Sequence, residues 1–266
     1  MMLRAVAGMT AALALTVAVA FAGSANQDRP STATANVQDN TAYNGQFIFA
    51  RLRYDMGREG LMGGMRRGFR GRGGDPPWRH DYPFAERNLM NLMREITALH
   101  PGAEAGNIVD IGDPELHRYP IAYMSEPGYW TMNDQEVENM RSYLLKGGFL
   151  IFDDFPYQAW GNFEQQMRRI LPDMQIQPLD ATHPIFHSFF AIESLQNVYG
   201  TYLGQPVFLG IFENNEPNKR LMAIINFQND LGENWEYSGR GFSVIPEAAN
   251  EAYKFGVNYI LYGMTH

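Results

Sequence analysis

The chain has 266 residues, a formal net charge of −8 and no cysteine. The missing thiol excludes disulfides, Cys-ligated zinc, iron–sulfur clusters and thiol nucleophiles. The acidic balance argues against nucleic acid as the main partner, and the length is ample for a core that stands without cross-links.

Residues 1–22 read as a secretory signal peptide. Arg4 supplies the positive start, an apolar stretch runs from Ala11 to Ala20, and Ala20-Phe21-Ala22 is a small-x-small cleavage signal. The apolar run is short and alanine-rich for a membrane span, and no later segment is long and apolar enough to be one. The expectation is export, periplasmic or extracellular, with cleavage after Ala22 and no integral membrane segment left. Residues 23–42 are polar and aperiodic, a disordered linker, and 43–266 form the folded domain.

Gln46 to Leu52 alternates and reads as the first strand, delivering Arg53 and Tyr54 at its end. The Gly/Arg-rich segment 57–74 is expected to be a mobile basic loop. Asp81-Tyr82-Pro83 opens a helix whose apolar stripe is Ala85, Leu89, Leu92, Met93 and Ile96, stopped by His100-Pro101-Gly102. Asn107 to Ile111 is a short strand, and Tyr119 to Met124 is another, ending in Ser125-Glu126-Pro127-Gly128. Thr131 is the expected cap of a helix that buries Val137, Met140 and Leu144 and stops at Gly147. An apolar strand from Phe149 follows, then a helix from Asn162 to Leu171 and a short strand from Met174 to Leu179. Val207–Phe212 and Leu221–Phe227 are strand-like and separated by a polar turn, and Pro246 begins a final helix. This order predicts an α/β fold, a mostly parallel sheet flanked by helices with an antiparallel edge extension.

In such a sheet the carboxyl ends of the strands share one side, and ligands bind there. That edge would carry Arg53, Tyr54, Asp110, Ser125, Glu126, Asp153 and Asp154. Asp153 and Asp154 are the candidate catalytic pair, because adjacent carboxylates behind a buried strand repel unless a cation, donor or proton satisfies them. Asp81, Tyr82, Trp235 and Glu236 are ligand-binding candidates, since each pairs an aromatic ring with a carboxylate. His183 and His187 stand at i and i+4, but Pro184 biases His183 away from helix, so a turn is expected there and no metal or cofactor is predicted.

Several segments together resemble the bacterial domain of unknown function 4159. They are Trp78-Arg79-His80-Asp81-Tyr82-Pro83, Tyr119-Pro120-Ile121-Ala122-Tyr123, Gly147 to Asp154, His183-Pro184-Ile185-Phe186, Asn234-Trp235-Glu236 and Gly256-Val257-Asn258-Tyr259. The resemblance implies a three-layer sandwich like that of class I glutamine amidotransferases, which is flavodoxin-like, and it carries no established activity. By the Gly-Gly-strand pattern, the nucleophilic cysteine's place in amidotransferase-like proteins falls at Asp154, so the thiol mechanism is absent. The expectation is a non-catalytic domain binding a polar ligand: a carbohydrate, a cell-wall fragment or an envelope protein. Its site would include Arg53, Tyr54, Asp81, Tyr82, Glu126, His183, Trp235 and Glu236. The alternative is a carboxylate-based or metal-assisted hydrolase of glycosidic or ester bonds, with Asp153 or Asp154 as base or ligand and His183 as acid or ligand.

Overall fold

The computed structural model of the chain describes residues 39–57, 76–195, 203–238 and 246–266. The expected signal peptide, the expected linker up to residue 38 and the Gly/Arg-rich segment from residue 58 lie outside the described residues.

A seven-stranded sheet runs through the domain. In chain order its strands are β1 (Ala50–Arg53), β3 (Asn107–Asp110), β4 (Ile121–Ser125), β6 (Phe149–Phe155), β7 (Ile176–Pro178), β8 (Val207–Phe212) and β9 (Leu221–Phe227). Across the sheet the order is β3-β1-β4-β6-β9-β8-β7. The first five in that order are mutually parallel, while β8 pairs antiparallel with β9 and β7 antiparallel with β8, so that only β8 runs against the rest. The remaining strands, β2 (Asp55–Met56) and β5 (Trp130–Thr131), form a small antiparallel ribbon. Numbered by appearance, the parallel strands lie 2-1-3-4-5, a doubly wound order that puts the switch point between β1 and β4.

The helices fill both faces. Those of eight or more residues are α1 (Phe84–Ile96), α2 (Asp134–Leu145), α3 (Trp160–Ile170) and α5 (Pro246–Thr265), and α4 (Leu231–Glu236) is a short one. Alternation along β6 sets the layers: Leu150 and Phe152 pack with Val137, Met140, Phe163 and Met167 of α2 and α3. Phe149 and Ile151 pack with Leu89 and Met93 of α1, Trp235 of α4, and Phe255 and Tyr259 of α5. Every residue of β6 and β9 is buried, as a central strand covered on both faces requires. Phe163 is the hub of one layer, with ring centroids 4.9 Å from Phe152 and 5.0 Å from Phe155. Such pairs contribute about 0.5–1.5 kcal/mol each beyond their area.

Three expectations need correction. The cap of α2 is Asn133, in a reciprocal capping box with Glu136, while Thr131 belongs to the β2–β5 ribbon. The second strand of the expected antiparallel edge, β9, is interior: it pairs parallel with β6 and antiparallel with β8, so the extension consists of β8 and β7. Lastly, α4 is unforeseen, because a single turn with apolar Leu231 and Trp235 leaves no periodic stripe to read. At the other edge, Asn40 exchanges side-chain bonds of 2.7 and 2.8 Å with the Ile108 backbone, and Asn107 holds the Thr41 backbone. These residues cover part of edge strand β3.

Candidate functional site

The last residues of three adjacent parallel strands turn sharply. Glu126 after β4, Asp154 in β6 and Gln228 after β9 all have left-handed backbones, with φ of 47°, 58° and 56°. Asp81, on the loop before α1, joins them at φ 65°. Side chains other than glycine rarely adopt this region, and such residues cluster at functional sites. In β6 the effect is a bulge: pairing with β9 shifts between Phe152 and Phe155. Asp153 follows the strand's alternation onto the face of Ile151, and the bulge at Asp154 then returns Phe155 to the layer of Phe152. The Asp154 amide donates to the Asn229 carbonyl at 3.1 Å and so fixes the turn to the end of β9.

Arg51 holds the loop that carries His80 and Asp81. Its guanidinium is buried on β1, pairs with Glu86 of α1, and donates to the Trp78 and His80 carbonyls at 3.0 and 2.7 Å. The same group lies 4.8 Å from the Tyr123 ring centroid. Thus anchored, His80 Nδ1 meets Asp154 Oδ2 at 2.5 Å, with Glu126 Oε1 3.7 Å from Nδ1 and Asp81 Oδ1 3.5 Å from Nε2. Tyr54 supports the Glu126 turn from beneath, its hydroxyl donating to the Ser125 and Glu126 carbonyls at 2.8 and 2.7 Å.

Asp153 faces inward. Its Oδ2 accepts from the Tyr123 hydroxyl at 2.9 Å and from the Leu231 and Gly232 amides of α4 at 2.8 and 3.0 Å, while Oδ1 is buried and has no hydrogen-bond partner among the described residues. Asp230 caps α4 by accepting from the Glu233 amide at 2.8 Å. Two sets of ionisable groups therefore converge on Asp154: His80 with Glu126, and Asp81 with Asp230, the donor atoms of each set within 4.8 Å of one another. Asp81, Asp153, Asp154 and Asp230 are buried, and the side chains of His80 and Glu126, each 18% exposed, form the opening.

Such crowding sets the electrostatics. Burial, then repulsion from Asp154, pushes the Asp153 carboxyl up to about 7 against the pull of its three donors. Burial likewise raises Asp81 and Asp230 well above the usual carboxylate range; His80 works against the rise at Asp81, and Asp154 adds to both. Burial alone would lower the His80 imidazole, but its hydrogen bond to Asp154 and the charges of Asp154, Asp81 and Glu126 outweigh this and push it up to about 10. The site is an acid-rich centre whose carboxylates favour the protonated form of the imidazole.

The residues singled out from sequence separate into groups. Asp81, Glu126, Asp153 and Asp154 come together, and Tyr54 buttresses them. Glu236 acts on Asp81 through its charge. Tyr82 is buried beside Arg51, 5.8 Å from its ring centroid to the guanidinium. Arg53 points outward and pairs with exposed Asp110, so it does not join the cluster. Trp235 is a core residue, fully buried, with its indole donating to the Ala252 carbonyl at 2.9 Å. His183 sits at the opposite edge: its ring packs between Phe212 and Tyr262, and Phe212 pairs with Leu221, the first residue of β9. Its Nδ1 accepts from the Ile185 amide, so it caps a turn and is not the acid or ligand beside Asp154. A depression lined by Asn229, Leu231, Asn234, Glu251 and Phe255 carries none of the clustered carboxylates.

Sequence reasoning missed His80, Asp230 and Arg51. Asp230 stands just past the end of β9 as Asp153 and Asp154 stand at the end of β6, so the rule applied to β6 would have found it at β9. Arg51, a lone charge inside an apolar strand, carried the signal of a buried partner. His80 lies beside the chosen Asp81, but nothing local shows that it reaches across to Asp154.

The profile of the family described as a domain of unknown function (DUF4159) matches residues 49–264, and the chain belongs to that family. No curated protein matches it. Among the described residues no helix is long and apolar enough to cross a membrane.

Proposed function

We propose that this DUF4159 member is an exported, amidotransferase-like domain that binds a polar ligand at the carboxyl edge of its parallel sheet. The observation that carries this reading is the convergence on Asp154 of His80, Asp81, Glu126 and Asp230 from separate chain segments, open to the surface at His80 and Glu126. The 2-1-3-4-5 strand order supports the flavodoxin-like kinship, and ligands of that class lie outside these strand ends. An acid-rich centre selects hydrogen-bond donors and cations over anions. A carbohydrate or an amine-bearing cell-wall fragment fits that preference. An envelope protein would have to present the same groups, as a lysine or hydroxyl-rich segment.

The test is binding of a panel of glycans and muropeptides to the mature protein by calorimetry. Saturable binding that weakens about tenfold in Glu126→Gln, the loss of one charge-assisted hydrogen bond, is expected. Binding unchanged in Glu126→Gln, or none across the panel, overturns the reading. One observation favours a second reading, a hydrolase without a thiol: His80 and Asp154 form a hydrogen-bonded acid–base dyad beside a second carboxylate, Asp153. Turnover on glycosidic or ester substrates, lost in His80→Gln, would establish it, and no turnover on either class removes it.

A further inference from the structure

We infer that Asp81, Asp154 and Asp230 form a binding site for one hard divalent cation of the Mg2+, Mn2+ or Ca2+ type. The three carboxylates are buried, and each offers an oxygen within 4.8 Å of the others. Metal–oxygen bonds of ~2.0–2.6 Å place opposed ligands about 4–5 Å apart, so one ion reaches all three with little movement. An all-oxygen donor set selects hard cations.

A cluster of acids alone would not carry this. The independent observation is Asp81, whose side chain is 1% exposed and whose two carboxylate oxygens accept no hydrogen bond among the described residues. A buried polar group left in this state is costly, and a bound ion is one of the few things that accounts for it. Asp81 has an ion-pair contact with His80 Nε2 at 3.5 Å, longer than a charge-assisted hydrogen bond.

The surroundings suit an ion. Asp81 and Asp154 are fixed by left-handed backbones, and Asp230 by its cap bond to α4. His80 orients Asp154 from the side of Glu126, the role outer partners play around carboxylate ligands. Gly232 leaves the floor open: a Cβ there would stand 2.6 Å from Asp81 Oδ2 and 2.9 Å from the Tyr123 hydroxyl. The cation would lend positive charge to the ligand site proposed above and rests on that reading only in sharing its carboxylates.

The experiment uses the mature protein, stripped with chelator and titrated with Mn2+, by calorimetry and by NMR of histidines labelled at Cε1. Stoichiometric uptake is expected, with the His80 signal broadened and the signal of His183, at the opposite edge, retained. Asp81→Asn and Asp230→Asn should each weaken uptake more than tenfold, and His80→Gln, a positioning change, by about tenfold. No saturable uptake, uptake of wild-type strength in both Asn variants, or uptake that leaves His80 sharp overturns the inference. The His80 signal is read in the wild-type protein, so the test holds even where an Asn variant does not fold. An organic ligand bound by the stripped protein without Mn2+ uptake would overturn the cation site alone, and Mn2+ uptake without any organic ligand would overturn only the ligand reading.

Discussion

Arg51 of β1 and Glu86 of α1 form an ion pair sealed from water, with side chains 1% and 2% exposed. The pair ties the first strand to the first helix, and the same guanidinium holds the backbone of the His80 loop. Removing one partner leaves a charge in the interior with nothing to compensate it. Glu86→Ala is expected to lower unfolding free energy by about 3–5 kcal/mol in urea titrations, whereas replacing both residues with apolar ones of similar volume should cost far less. Equal losses in the two variants would show that packing, not charge, governs this junction.

Asp153 should make the protein less stable as pH rises. Its folded-state carboxyl, at about 7, titrates above its unfolded value, so its contribution is complete below ~4 and is lost between there and about 7. His80, raised to about 10 from an ordinary value near 6.5, loses its contribution between those limits, the same direction at higher pH. The groups facing Asp153 are Tyr123 of β4, Asp154 beside it, Asp230 at the start of α4 and Tyr259 of α5. Unfolding of chelated protein across pH 4–7 should show Asp153→Asn flattening the decline by on the order of a few kcal/mol. An identical slope in the variant would remove Asp153 as its source.

The His80–Asp154 bond can be read directly. In Asp154→Asn the left-handed turn is tolerated, since Asn adopts αL readily, but the charge and the charged acceptor are gone. Burial then dominates, and the His80 imidazole should titrate far below about 10 when followed by NMR at Cε1. A titration unmoved by the substitution would mean that Asp81 and Glu126 suffice to hold the proton.

Gly232→Ala gives a test of sign. In the exposed interior of a helix this change gains up to ~1 kcal/mol. Here the new methyl meets Asp81 and the Tyr123 hydroxyl, and overpacking of this kind costs about 1–3 kcal/mol. A lower urea midpoint is expected, with Mn2+ uptake weakened in parallel. A higher midpoint would show that the floor of the site can yield.

Strand-end logic located Asp153, Asp154 and Glu126 because it needs only a buried apolar run and the polar residue that ends it. Alternation turns Asp153 and Asp154 to opposite sides, but it could not tell which side is the site, and the bulge that reshapes the strand end at Asp154 leaves no periodic trace. Arg53 had the right position along its strand, yet its outward side of the pleat meets Asp110 on the neighbouring strand. His183 and Trp235 show the opposite limit. Both are polar-capable rings near a turn, and only the packing of α4, α5 and β8 around them reveals a cap and a core residue. The interior position of β9 was likewise hidden, since a buried strand reads the same beside a parallel or an antiparallel neighbour.

The amides that hold Asp153, and the acid at position 230, arrive with the stretch that follows the last strand. During synthesis from the amino end, the β6 acids emerge some eighty residues before the groups that restrain them. A chain lacking that stretch would lose the α4 and α5 cover of the Phe149 and Ile151 face and carry an unrestrained pair of repelling acids. The geometry around Asp153 is therefore completed late in synthesis, and a cut between β9 and α4 would release it.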